Sequence, residues 1–229
     1  MNEVAVEANR RAYLDALGVD VWVERDTVHE DVGESLADVA VEAPADWGDL
    51  RARVAKCERC ALHKTRTQTV FGVGNTSADW MIIGEAPGAE EDRRGEPFVG
   101  RAGKLLDEML RAVGLERDAV FIANILKCRP PNNRDPSGDE AAECRDHLER
   151  QIQMVAPKLL LAVGRIAAQQ LLESSAPVGR MRGSVHHFAR FDIPLVVTYH
   201  PAYLLRSPVQ KRKVWQDLCL ARAAMQGTA

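Results

Sequence analysis

Four of the five cysteines stand at positions able to do chemistry together. Cys57 and Cys60 form a C-x2-C pair, with Cys128 and Cys144 further along the chain. Four thiolates so spaced suit a zinc ion as readily as an iron–sulfur cluster, and scattered buried thiols are a third reading. Five is an odd number, and with no export signal ahead of them a disulfide set is not expected. A second group comprises the stretch from Gly84 to Asp92 (GEAPGAEED), then Phe98, Asn124 and His200. It offers carboxylates, an aromatic face, a carboxamide that both donates and accepts, and an imidazole. Such a set can read a polar planar ring.

The second group matters because of where the surrounding elements put it. The run from Trp80 to Ile83 reads as a strand ending at a glycine, and Val120–Ile125 as another. Leu159–Val163 and Pro194–Thr198 read as a third and a fourth. Between them lie helical patterns. Leu105, Leu106, Met109, Leu110 and Val113 recur at helical spacing and stop at Gly114. Ser137 and Glu140 form a capping box that opens a helix to about Val155, ended by Pro157. Ile166–Leu172 makes a further helix, and Ser207-Pro208 introduces a last one running to about Ala224. Apolar strands separated by helices predict an α/β fold, a three-layer α/β/α sandwich with a central, mainly parallel four-stranded sheet. Ligands in such folds sit at the carboxyl ends of the strands. Glu85, Phe98, Asn124 and His200 all follow strand ends or lie close beyond them.

GEAPGAEED, PFVGRAGKLL, NILKCRPPNNR, HPAYLL and the four-cysteine spacing together resemble the iron–sulfur uracil-DNA glycosylases called family 4. The resemblance runs from about Leu50 to Met225. It implies a hydrolase of DNA repair that cleaves the N-glycosidic bond of uracil and leaves an abasic site. It also implies a four-iron, four-sulfur (4Fe-4S) cluster on Cys57, Cys60, Cys128 and Cys144, structural rather than redox in role. Cys219, mid-helix between Leu218 and Leu220, is expected to be a packed or idle thiol.

The resemblance also assigns roles around the base. Glu85, Ala86, Pro87, Glu91, Phe98, Asn124 and His200 would form the uracil pocket. His200 would donate to the developing oxyanion at O2, Asn124 would pair with O4 and N3–H, Phe98 would stack on the ring, and Glu91 would lie against the C5 edge. Ala86 stands where the larger superfamily often carries a water-activating aspartate, which leaves Glu85 as the neighbouring acid, and Glu85 and His200 as the catalytic pair. The loop after His200 would supply Tyr203, Leu204 and Leu205 as a wedge into DNA, with Arg206, Lys211, Arg212 and Lys213 for phosphates. The Lys127–Arg134 loop adds positive charge on the same edge. A cross-linking relative captures uracil DNA through an inserted histidine-containing loop. Here NILKCRPPNNRDPSGDE carries no such insert and the next histidine after it is His147, so turnover is expected.

Composition sets the limits. The chain has 229 residues, 46% hydrophobic and 28% charged, which excludes a disordered chain, a collagen-like chain and a coiled coil. No stretch approaches the roughly 20 consecutive apolar residues of a membrane span. With no signal-peptide pattern at the N-terminus, a cytoplasmic location and no membrane association are expected. Residues 1–50 hold 13 acidic and 3 basic residues, and the other 179 hold 20 and 27. A basic body suits a polyanion such as uracil-containing DNA, single- or double-stranded. Residues 1–46 are expected to be an acidic extension with a short helix over 3–17 that either docks a protein partner or simply packs, residues 47–229 the glycosylase-like domain, and the whole a monomer. The alternative function is a non-catalytic iron–sulfur or zinc module that binds nucleic acid.

Overall fold

The computed structural model describes residues 46–226, so the expected helix over 3–17 and the acidic connector lie outside the described residues. Four apolar runs form the centre of the sheet: β2 (Trp80–Gly84), β3 (Phe121–Asn124), β4 (Leu159–Val163) and β6 (Ile193–Thr198). Every residue of β2, β3 and β4 is buried, as strands covered on both faces must be. They are parallel and adjacent in the order β3-β2-β4-β6.

The sheet has six strands rather than the expected four. β1 (Val73–Gly74) adds antiparallel to β3 at one edge, and β5 (Val185–Phe188) antiparallel to β6 at the other. Neither carries a readable pattern. β1 is two residues long, and β5 is the sequence VHHF, mostly exposed because an edge strand has only one neighbour.

Strand residues alternate between two cores, as the period of two requires. Met81, Ile83, Ala123, Leu160, Ala162 and Val197 face one side, where they meet Leu148 and Ile152 of α4 (Gly138–Val155) and Ala168 of α5 (Arg165–Leu171). Ile82, Ile122, Leu161, Val163 and Val196 face the other, against Leu106 and Leu110 of α3 (Arg101–Ala112) and Leu218 of α8 (Lys211–Gln226). A smaller cluster joins Phe71 to Leu50 and Val54 of α1 (Trp47–Ala55), whose N-cap Asp46 accepts from the Asp49 amide at 2.9 Å. The expected α/β/α sandwich is therefore observed. Among the described residues no helix is long and apolar enough to cross a membrane.

Local signals held where they were strong. Ser137 accepts from the Glu140 amide at 3.2 Å while Glu140 accepts from the Ser137 amide at 2.9 Å, so α4 begins with the capping box. Two short helices carried no such signal in advance, α2 (Ala89–Arg94) and α6 (Val178–Met181). The segment after His200, expected as a loop, is also a helix, α7 (Pro201–Arg206), with Pro201 in its first turn. That corrects one residue: Leu204 is 1% exposed and packs into the core with α3 and α8, so it cannot reach DNA.

One buried ion pair locks the last helix in place. Asp217 on α8 is fully buried and accepts from Arg182 at 2.7 and 3.0 Å and from the Thr198 hydroxyl at 2.9 Å. Arg182 also donates to the Lys213 carbonyl at 2.7 Å, which ties the end of α6 to α8 beside the end of β6. Asp217→Ala leaves the guanidinium without its counter-charge, and a loss of about 3–5 kcal/mol in unfolding free energy is expected from urea titration. A loss below about 1 kcal/mol would make the pair no better than a surface one.

Candidate functional site

The carboxyl ends of the parallel strands open into a cavity of about 790 Å³. Register decides what enters it: Gly84 ends β2 directly beside Asn124 at the end of β3, and β6 delivers Tyr199 and His200 to the same edge. Glu85, Ala86, Glu91, Phe98, Asn124 and His200 all line the cavity. Pro87, expected among them, is buried and is not a lining residue.

Phe98 and Asn124 come together because Gly84 has no side chain. A Cβ there would lie 2.4 Å from Asn124 Oδ1 and 2.6 Å from Phe98 Cζ. Phe98 itself has φ 53°, a left-handed conformation that costs a non-glycine residue of order 1–3 kcal/mol. Its neighbours over-determine that conformation. Glu91 accepts from the Val99 and Gly100 amides at 3.0 and 3.2 Å with one oxygen, and from the Gly88 amide at 3.1 Å with the other. Arg117 donates to the Pro97 carbonyl at 2.6 Å. Gly103 of α3 lets the Phe98 carbonyl approach so closely that a Cβ would sit 1.7 Å from its oxygen. Glu91 thus reaches the cavity with both oxygens already engaged, and its visible work is to hold the Phe98 loop.

Asn124 is 2% exposed, and its carboxamide makes no hydrogen bond to another described residue. Its main chain is pinned instead. The Asn124 carbonyl accepts from Lys127 Nζ at 2.8 Å, and that buried amine also reaches Gln151 Oε1 at 2.6 Å. Gln151 in turn donates to the Phe71 carbonyl at 2.8 Å. Burial lowers Lys127 to about 8, against the pull of Cys144 and Cys128.

His200 caps α7: its Nδ1 accepts from the Ala202 amide at 3.1 Å, so the remaining proton sits on Nε2. Burial pushes the imidazole down to about 4, with Arg206 adding to the effect and Glu91 opposing it. The ring is a neutral donor, stacked at 28° and 5.5 Å from Phe98. Glu85 differs in kind. Burial raises its proton affinity, Asp135 raises it further, and Arg165 lowers it. Asp135 and Arg165 are ion-paired with each other, and Arg165 lines the cavity. Arg165 escaped the sequence reading, although it follows directly on the glycine after β4 and the strand-end rule would have found it.

At the rim, Tyr203 lines the cavity and packs on Tyr199 at 5.1 Å, Arg206 lines it too, and Leu205 is 39% exposed. Lys211, Arg212 and Lys213 are exposed. In a separate small pocket, Cys57, Cys60, Cys128 and Cys144 are lining residues together with Arg66, Lys127 and His147. Arg66 donates to Cys128 Sγ at 3.1 Å and to the Cys57 carbonyl at 2.8 Å, and the Lys127 amide donates to Cys144 Sγ at 3.3 Å. Burial raises Cys144 to about 11 and also raises Cys128. Among the described residues no three His, Cys, Asp or Glu side chains form a compact ion site. Cys219 is exposed and apart.

Gly84→Ala is expected to displace the Phe98 ring or the Asn124 carboxamide and to weaken binding of free uracil about tenfold or more, equivalent to about 1.4 kcal/mol. Calorimetry on a variant with an unchanged circular dichroism spectrum checks it. Undiminished affinity would mean that the cavity edge at Gly84 is not where the base lies.

Comparison with known proteins shows the family. The family model described as the uracil DNA glycosylase superfamily matches residues 71–219. A type-4 uracil-DNA glycosylase of Archaeoglobus fulgidus is 43% identical over 175 residues, 74% of this chain and 88% of that protein. One of Thermotoga maritima is 41% identical, covering 75% and 90%. One of Pyrobaculum aerophilum is 40% identical, covering 76% and 92%. Matches of this extent make the chain a member of the uracil DNA glycosylase superfamily, of the type-4 branch.

Proposed function

We propose that this protein hydrolyses the N-glycosidic bond of uracil in DNA, releasing free uracil and leaving an abasic site. The observation that carries the reading is the meeting of Phe98, Asn124 and the neutral His200 around one cavity at the sheet edge. A stacked base is out of reach of any such cavity, so the nucleotide must be extruded, at a few kcal/mol. Phe98 then stacks on the extruded ring. The Asn124 carboxamide, held by Lys127 through its own carbonyl, pairs with O4 and N3–H and refuses cytosine, whose donor and acceptor are reversed.

Bond cleavage leaves negative charge on the base and positive charge on the sugar. His200 Nε2–H faces the first as a pre-aligned donor, the arrangement that stabilises developing oxyanions. Glu85 serves the second: a carboxylate at the cavity wall stabilises the sugar cation and orients the attacking water. Tyr203 and Leu205 fill the emptied stack, and Arg206 with Lys211, Arg212 and Lys213 meets the phosphates.

The chemistry of the thiol pocket suits a 4Fe-4S cluster. A cluster carries its own sulfides and asks of the protein only thiolates around one pocket, which Cys57, Cys60, Cys128 and Cys144 line together. Burial of Cys128 and Cys144 holds both as thiols unless a cation is present, and the Arg66 and Lys127 donors to sulfur suit anionic ligands. Cys57, Cys60, Cys128 and Cys144 would hold the group, which supplies cross-linking between α1's end, the loop after β3 and α4, and no electron to the hydrolysis.

The deciding assay is uracil release from a single-stranded uracil oligonucleotide: a glycosylase yields free base, whereas a binding module yields only a shifted band. His200→Ala is expected to slow release about 10²–10³-fold with the fold intact, and unchanged turnover would remove His200 from the reaction. Because the folded imidazole titrates at about 4 rather than 6.5, it stays neutral at every pH above about 4. The rate should therefore show no inflection near 6.5 that belongs to His200. An acid limb centred there in the wild type and missing from His200→Gln would contradict the neutral-donor assignment.

A further inference from the structure

His147 is a buried polar group without a partner. It is 2% exposed, and neither ring nitrogen has a hydrogen-bond partner, which makes them two of the three such side-chain atoms among the described residues. A buried imidazole always carries at least one N–H, and native interiors seldom leave such a donor unused. The ring stands on α4 three residues after Cys144, on the same helix face, and lines the pocket that the four thiols line. The neighbouring donors have found sulfur: Arg66 reaches Cys128 and the Lys127 amide reaches Cys144. His147 reaches none of the four cysteine sulfurs. An acceptor for it must therefore come from whatever fills the pocket, and in a 4Fe-4S cluster the remaining acceptors are the inorganic sulfides.

We propose that His147 donates a ring N–H hydrogen bond to a sulfide of the cluster and so sets its reduction potential, a proposal that rests on the cluster assignment made above. Hydrogen bonds to cluster sulfurs are among the determinants of potential, and a donor favours the more negative, reduced state. His147 is thus a positioning and tuning residue, distinct from the groups that meet uracil. A packing role alone would be served as well by phenylalanine, which keeps the ring and loses the donor.

The test uses the full chain purified with its iron. Iron content and the absorption band at about 400 nm are recorded first. If both are missing, the cluster reading fails and this proposal fails with it. If both are present, the potential is measured for wild type, His147→Phe and His147→Gln. A shift to more negative potential in His147→Phe, partly restored by the donor in His147→Gln, is expected. Equal potentials in all three overturn the proposal and leave the cluster standing. Should His147→Phe fail to fold, pulsed electron resonance on reduced protein labelled with ¹⁵N-histidine decides instead, in a His63→Gln background because His63 lies close after Cys60. Nitrogen coupling to the cluster supports the bond, and its absence overturns it.

Discussion

The empty position at Gly84 is the constraint on which the site depends. Parallel register sets Gly84 and Asn124 side by side at the sheet's carboxyl edge, and only a residue without Cβ lets the Phe98 ring and the Asn124 carboxamide close over that point. A flat polar ring needs one surface to stack on and one edge to pair with, at right angles within a few ångströms. The sheet supplies the edge, since Asn124 is its own strand's last residue. A loop must supply the surface, and loops are soft. Three backbone amides donating to Glu91, an arginine on the Pro97 carbonyl and the close passage over Gly103 remove that softness, which is how Phe98 can stay in a conformation unfavourable to it.

His200 shows the same economy of means. A histidine meant to donate to an anion has to be kept from wandering between tautomers and from taking up a second proton. The cap on α7 settles the first, because an Nδ1 that accepts from the Ala202 amide must leave its proton on Nε2. Burial settles the second by lowering the imidazole's affinity for a proton. Glu85, on the same cavity wall, is pushed the opposite way by the same burial. One low-dielectric cleft thereby prepares a neutral donor and a more basic carboxylate, since desolvation always disfavours the charged form.

The thiol pocket is mechanically joined to the base site although it stands apart from it. Lys127 lies between Asn124 and Cys128 in sequence, and its amine holds the Asn124 carbonyl while its amide meets Cys144. Asp92, buried just beyond the Glu91 clamp, accepts from the Thr67 amide, and Arg66 next to it grips Cys128. Any group that stiffens the four cysteines therefore also stiffens the segments that carry Asn124 and Glu91. A cross-link at the four cysteines would therefore steady the base site without taking part in the reaction.

The sequence by itself determined what local signals can encode. Central strands read as unbroken apolar runs, α4 announced itself through Ser137 and Glu140, and Glu85, Phe98, Asn124 and His200 could be placed at strand ends before any coordinates. What failed to show were features owed to neighbours distant in the chain. β5 reads VHHF and is a strand only because β6 offers it hydrogen bonds; Leu204 looks like a wedge until α3 and α8 close over it. Arg165 stands at a strand end that the sequence does show, but its ion pair with Asp135, 30 residues earlier, does not show there. Glu91 belongs to an acidic run whose plain reading is a solvated face, and only the folded loop turns its oxygens toward Val99 and Gly100. Tertiary structure alone decided these because burial, register and proton affinity are properties of a neighbourhood, and the chain has no neighbourhood until it folds.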